Sequence, residues 1–392
     1  MDILSNVGMS VKSEKALRIL HEAGAAVDFG KGIARIPSHL LGEVLKWAPP
    51  SIAIWDRDRV TSLDHGGDNT YAWSGNDANY ILTSEMGERR IATVEDVRRF
   101  ARLADALENI HVVGVEGTPQ DVPRGYAEVK AAEVMLNSSS KHLFFCPSTT
   151  GVARAQLKLA QTITGEDEFA KRPIITFLVC PTTPLSWGKW AVETLIEGSR
   201  NGVPCIVNSC PTTGGTAPIS LAGTLVLQNA ENLSGVLISQ LARKGAPAFY
   251  GSTSLALDMH ESTTLIGTPE TAALRVATTQ LGKSNNLPTM VNGPDSQSHC
   301  LDEQNAWEKI MTGAAAINSR VNILMNPGMI ASGLTVSYEQ LVIDNEMLGW
   351  LFRLQRGIEV SEETLAVKQI EKAGPEGQLL GKALEFALKR LK

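Results

Sequence analysis

Three cysteines occupy corresponding points of three short apolar runs: LFFCPST carries Cys146, LVCPTTP carries Cys180 and NSCPTTG carries Cys210. Each is followed by Pro and then Ser/Thr-Thr, so each run stops at its cysteine. Three thiols meeting at one place, with His299 or Cys300 as a fourth donor, would satisfy the preference of zinc for soft tetrahedral ligands. The same thiols also suit a buried strand end, where Cys behaves as a small apolar residue. Ligands supplied by separate strands leave no short Cys-x-x-Cys spacing, so both readings stand. The other groups directly after apolar runs are Glu116, Tyr250 with Ser252, Asp295 and Asn326. Glu116 and Asp295 could balance a positive charge, or serve as helix caps and ion-pair partners. His299 is a further catalytic candidate and Asp302 lies in the same loop; the competing role for either is that of a surface loop residue.

The elements that must position these groups follow from periodicity. Apolar runs begin at HVVGV (111), LFFC (143), IITFLV (174), CIVNS (205), AFYG (248), TMVNG (289) and NILMN (322). Amphipathic segments separate them, the clearest from Ile219 to Lys244, closed by Gly245 with Pro247 beyond. Another helix starts at Thr268 with Pro269 in its first turn, and Thr93 with Asp96 forms a capping-box pattern ahead of Val97, Phe100, Ala104 and Leu107. Continuous apolar strands alternating with helices predict a parallel sheet covered on both faces. Seven strands fall one short of a (β/α)8 TIM-type barrel, and the eighth is expected near Tyr71 to Gly75 or near Leu334 to Ser337. No Gly-x-Gly-x-x-Gly follows the first run, so nothing supports a dinucleotide site. The α/β barrel is expected over residues 93–360, an N-terminal helical and loop cap over 1–92, and a short C-terminal helical tail over 361–392.

Composition narrows the function. A chain of 392 residues with 43% hydrophobic and 20% charged positions is globular material with ample core. A net charge of -6 with only short Lys/Arg runs lacks the electrostatic footprint that nucleic acid requires. No apolar run approaches the roughly 20 residues that span a bilayer, and the start lacks a signal pattern, so a cytoplasmic protein is expected. Five cysteines, an odd number, do not suggest a disulfide framework.

The stretch PTTGGTAPISLAGTLVLQNAENLSGVLISQLARKGAPAFYGSTSLALDM from Pro211, with GTPE at 267, NNLPTMVNGPDSQ at 285 and LDEQNAWEK at 301, closely resembles the trimethylamine methyltransferase family. GERR and ATVEDVRRFARLADALENI from 87, PTTPL at 181, and SGLTVSYEQLVIDNEM with RGIEV from 332 extend the resemblance over nearly the whole chain. It implies a barrel of eight β/α units that moves a methyl group from a methylated amine to Co(I) of a corrinoid (cobalamin) held by a separate protein. No tightly bound cofactor of its own is expected. The founding members carry pyrrolysine; none appears here, which points to the non-pyrrolysine, glycine betaine-like branch. Family members usually continue beyond GPEGQLLG by several tens of residues, whereas this chain stops at Lys392.

A quaternary or tertiary ammonium holds its charge under methyl groups, so aromatic faces with a nearby carboxylate would bind it. Tyr71, Trp73, Phe145, Phe177, Trp187, Tyr250 and Tyr338 stand in or near the strand-end loops and are the candidate cage, with core packing as the competing role for each. The expected partners are a small methylated amine and a corrinoid protein, with a homo-oligomer also allowed. Two other functions fit parts of the pattern. One is a zinc-assisted methyltransferase built on Cys146, Cys180 and Cys210; the other is a non-catalytic betaine-binding barrel.

Overall fold

The computed structural model describes residues 1–75, 77–83 and 88–379. Eight strands close into one parallel barrel in chain order. They are β1 (Tyr71–Trp73), β2 (Val112–Gly114), β3 (His142–Phe145), β4 (Ile175–Val179), β5 (Cys205–Ser209), β6 (Ala248–Ser252), β7 (Thr289–Asn292) and β8 (Ile323–Met325). Closure is made by β1, which pairs on one side with β8 (Met325 beside Trp73) and on the other with β2 (Trp73 beside Val112). The eighth strand is therefore the Tyr71 segment, and the barrel starts inside the stretch expected to be cap. The other candidate segment forms a short strand, Thr335–Ser337, outside the barrel; it pairs with Tyr80–Leu82 and with Met329–Ile330.

The helices that follow the strands are α1 (Val94–Ala106), α2 (Ala127–Leu136), α3 (Thr150–Thr164), α4 (Lys189–Arg200), α5 (Leu221–Ala242), α6 (Pro269–Ser284), α7 (Glu303–Asn318) and α8 (Tyr338–Gln355). Their starts are specified locally. The Thr93 hydroxyl accepts from Asp96 N, while the Asp96 carboxylate accepts from Thr93 N, so two orphan donors of α1 are satisfied reciprocally. Pro269 begins α6, where a missing N–H costs nothing. Asp302 caps α7 by accepting from Asn305 N at 2.9 Å.

Most of the first 70 residues divide into two structures. Met9–Val11 pairs with Ile33–Arg35 and with Ser186–Trp187, and the helices Glu14–Glu22 and Ser38–Leu45 pack on α5 from outside. The hairpin of Ala53–Trp55 and Ser62–Asp64 instead closes the N-terminal end of the barrel. Ile52 and Ile54 join the interior cluster of Trp73, Val112, Phe144, Leu178, Ile206, Phe249, Met290, Ile323 and Met325. Trp55 N donates to Pro173 O at 3.1 Å, and its carbonyl accepts from His142 Nδ1 at 2.9 Å. One end of the barrel is thus sealed by apolar packing, which leaves the C-terminal end for chemistry.

The chain divides into two compact units, Met1–Leu351 and Phe352–Lys392. Within the second, the described residues form the short helices Glu362–Leu365 and Val367–Ala373; residues 380–392 of the expected helical tail lie outside the described residues. Among the described residues no helix is long and apolar enough to cross a membrane.

Candidate functional site at the barrel mouth

Successive strand side chains alternate between faces, so the interior cluster determines which residues point inward. Counting in twos from Trp73, Val112, Phe144, Leu178, Ile206, Phe249 and Met290 reaches Gly75, Gly114, Glu116, Cys146, Cys180, Asn208, Cys210, Gly251, Thr253 and Asn292. These form the upper interior and rim of the mouth. The inward glycines sit against large neighbours: a Cβ on Gly114 would stand 2.6 Å from Phe144 Cε1, and one on Gly75 would stand 2.3 Å from Met329 Cγ. Side chains at those positions would displace the rings and the loop above them.

The rim is polar but mostly uncharged. Asn208 Nδ2 donates to Thr253 Oγ1 at 3.0 Å and lies 3.2 Å from Cys210 Sγ and 3.6 Å from Cys180 Sγ. Thr253 Oγ1 reaches Asn292 Oδ1 at 3.5 Å, which carries the network from β5 across β6 to β7. Asn208, Thr253 and Asn292 were not among the expected site residues. Their parity with the inward apolar residues is the signal that identifies them.

Glu116 is the buried carboxyl of this layer, 1% exposed. Among the described residues neither of its oxygens has a hydrogen-bond partner. The Ser74 hydroxyl and the Gly75 N–H come near without reaching bonding geometry; Gly75 N donates instead to Pro327 O at 2.9 Å. Burial pushes the Glu116 carboxyl well above the usual carboxylate range, and the neighbouring Asp344 charge adds to this against the partial compensation of Lys309. Gly75 and Gly328 pass close to Oε2, where a Cβ on either would stand 3.2 or 3.3 Å from that oxygen, and the Met329 and Leu341 side chains pack against the same two glycines.

The other buried carboxylates have partners. Asp295, 2% exposed, is ion-paired with Arg275 and accepts from Asn326 Nδ2 at 2.8 Å. It is neutralised by the protein itself, which corrects the expectation that it balances a ligand's charge. Asp344 accepts from Lys309 Nζ at 2.8 Å, Gly328 N at 2.7 Å and Gln340 Nε2 at 2.7 Å. His299 is exposed, and Asp302 serves as the α7 cap.

The aromatic residues expected to form a cage are placed elsewhere, which corrects that expectation residue by residue. Tyr71 stands at the sealed end between His65 and His111, with ring centroids 4.8 and 5.2 Å away. Trp73 fills the lower interior and donates Nε1–H to His65 Nε2 at 3.3 Å. Phe145, Phe177 and Tyr250 have the outward parity: Phe145 borders Ala131 and Gln156, Phe177 lies under Gly198 of α4, and the Tyr250 hydroxyl donates to Asn229 of α5 at 2.9 Å. Trp187 lies against Gly235 and donates to Ser234 Oγ at 3.0 Å. Tyr338 stacks on Phe100 at 4.0 Å and donates to Asp96 at 2.8 Å. A large ring just after a strand supports the barrel wall as readily as it lines a mouth, and alternation decides which.

Cys146, Cys180 and Cys210 do share the inward parity. Cys180 and Cys210 approach one another through Asn208, but among the described residues no group of three or more His, Cys, Asp or Glu side chains is placed to hold a metal ion.

A family model, trimethylamine methyltransferase, matches residues 1–388. A trimethylamine methyltransferase of Desulfitobacterium hafniense is 33% identical over 388 residues, covering 99% of this chain and 78% of that protein. A glycine betaine methyltransferase of the same species is 32% identical over 385 residues, covering 97% of this chain and 79% of that protein. Among solved structures, the monomethylamine methyltransferase of Methanosarcina barkeri superposes with a TM-score of 0.59 at 12% identity, covering 93% of this chain and 79% of that one, a likeness of fold.

Proposed function

The chain belongs to the trimethylamine methyltransferase family, and we propose that it moves a methyl group from a quaternary or tertiary methylated amine, of betaine type, to Co(I) of a corrinoid protein. The observation that carries this reading is the mouth itself: a mostly uncharged polar rim around a buried carboxyl that is unpartnered among the described residues, above a barrel sealed at its other end. Such a lining suits a cation whose charge lies under methyl groups, most directly a quaternary one that offers no proton to donate. A quaternary ammonium needs no general acid, because nitrogen keeps the bonding pair and departs as a neutral tertiary amine; a tertiary amine reacts as its protonated ammonium and departs as a neutral secondary amine. The task left to the protein is to position and desolvate the N–CH3 bond in line with the acceptor.

The corrinoid supplies the nucleophile that accepts the methyl group. This chain's contribution is the rim of Asn208, Thr253 and Asn292 with Cys180 and Cys210, whose uncharged groups exclude bulk water from the reacting carbon without competing for it. Cys146, Cys180 and Cys210 line the mouth as small polarizable groups in this reading. The cytoplasm, where thiols stay reduced, is the compartment this chemistry fits. The test is methyl transfer in vitro, with the purified chain, a Co(I) corrinoid protein and a panel including trimethylamine and glycine betaine. The visible spectrum follows the corrinoid and mass spectrometry follows the amine. One amine that loses a methyl group as the corrinoid is methylated supports the proposal; failure across the panel with active corrinoid protein overturns it.

A further inference from the structure

We propose that Glu116 is the anionic subsite for the substrate's ammonium group, and that it is uncharged until that cation arrives, so that binding expels a proton to solvent. The inference rests on the methylated-amine reading above and says how the charge of that substrate is met.

A buried carboxyl that accepts no hydrogen bond cannot hold its negative charge alone, because desolvation in a low-dielectric interior is not offset. Glu116 is in this state: 1% exposed, with neither oxygen bonded among the described residues. The charged groups that face it do not rescue it. Asp344 on α8 is a like charge, and Lys309 on α7 is spent on Asp344 at 2.8 Å. Asp295, the other buried carboxylate after a strand, is saturated by Arg275 and Asn326. Among the described residues Glu116 is the buried carboxyl whose two oxygens are both left unbonded for an incoming cation.

Among the described residues, backbone and apolar side chains, with no bonded polar group, adjoin Oε2. Gly75, after β1, and Gly328, after β8, flank Oε2, and a side chain at either would close to within 3.2 or 3.3 Å of it. Gly328 also has φ at 89°, a conformation that other residues adopt at a cost. Beside the carboxyl stand the backbones of these two glycines, with the Met329 side chain over Gly75 and Leu341 over Gly328, so an entering cation displaces the flexible Met329 side chain. When a tetraalkylammonium enters, its charge replaces the proton: the O–H bond of Glu116 breaks, the carboxylate stays paired with the cation, and the proton leaves to water. Charge at the subsite is conserved, which lets a permanent cation enter a desolvated pocket without leaving an uncompensated charge. Affinity then rises with pH until Glu116 ionises by itself, and levels off above that point.

Tetramethylammonium is the probe, since it has no carboxylate and no exchangeable proton. Titration calorimetry of the full chain in two buffers of different ionisation enthalpy counts the protons released per cation bound. Wild type is expected to release about one proton when binding is measured below the carboxyl's own titration, and E116Q to release none and to bind tenfold or more weakly, about 1.4 kcal/mol. The infrared carbonyl stretch of a protonated carboxyl should be present in free wild type, vanish on cation binding, and be missing from E116Q. E116D is the second variant, expected to retain proton release with weaker affinity if E116Q fails to fold. Binding without proton release, equal release from E116Q, or no binding of either tetramethylammonium or glycine betaine overturns the inference. The two readings fail separately. Turnover without proton release removes this one alone, and proton release without methyl transfer to any corrinoid protein removes only the transfer.

Discussion

Arg275 and Asp295 show why a residue's address does not reveal its task. Both are buried to 2% exposure or less and paired, and Arg275 also donates to Asn292 O at 2.9 Å. Burial holds the Arg275 guanidinium below its ordinary range, to about 9, so this cation depends on its partner. Removing one member leaves the other charge uncompensated, which costs far more than the pair contributes. Arg275→Met is therefore expected to lower stability by about 3–5 kcal/mol, and Arg275→Met with Asp295→Asn to recover most of that loss. Urea unfolding of the two variants decides the matter; a single variant within about 1 kcal/mol of wild type would show that the pair is no more than a surface-like bridge. Glu116 differs from Asp295 in the one respect that matters for binding: its oxygens are unspent.

At the scale of elements, the hairpin of Ala53–Trp55 and Ser62–Asp64 does what no barrel strand can do for itself. Eight strands close into a ring, but the ring has two ends, and the lower one exposes apolar side chains unless something covers it. Ile54, fully buried, supplies that cover together with Ile52. Ile54→Ala should cost about 2–5 kcal/mol through lost burial and the cavity left behind. The same change should leave the affinity for tetramethylammonium within about twofold, since a factor of two is a few tenths of a kcal/mol and the mouth lies at the opposite end. Thermal unfolding read beside calorimetry tests both halves. A large loss of affinity with unchanged stability would mean that the hairpin belongs to the site.

For the molecule as a whole, the sealed end sets the response to acid. Burial is the leading cause that pushes His65 and His142 down to about 3 and His111 to about 4, while an unfolded histidine titrates near 6.5. A depressed folded value means that the unfolded chain binds more protons in between. The stability these neutral imidazoles contribute is present above about pH 6.5 and is lost as pH falls towards 3, at about 1.4 kcal/mol per pH unit for each group. Glu116 has the opposite sign: its raised folded value stabilises most below the unfolded carboxyl value and is lost as pH rises. Unfolding free energy measured against pH should fall on the acid side, with a shallower slope in His65→Gln. An acid limb unchanged by that substitution would place the titrating groups elsewhere.

The sequence by itself determined the repeating unit, the starts of α1 and α6, and the family, because each depends on short-range pattern: apolar period, capping chemistry and long ordered motifs. It also contained the parity that brings Glu116, Cys146, Cys180 and Cys210 inward and turns Phe145, Phe177 and Tyr250 towards the helices. That parity becomes readable only once one inward residue per strand is known, and which residues are inward is decided by the ring that the strands close. The assignment of Tyr71–Trp73 as the first strand was equally open, since a three-residue strand carries too little period to distinguish it from Thr335–Ser337. The partnerships were beyond the sequence altogether. Arg275 lies 20 positions from Asp295 and Lys309 lies 35 from Asp344, so whether a buried carboxyl is satisfied or left free for a ligand is settled only when separate helices are brought against the same rim.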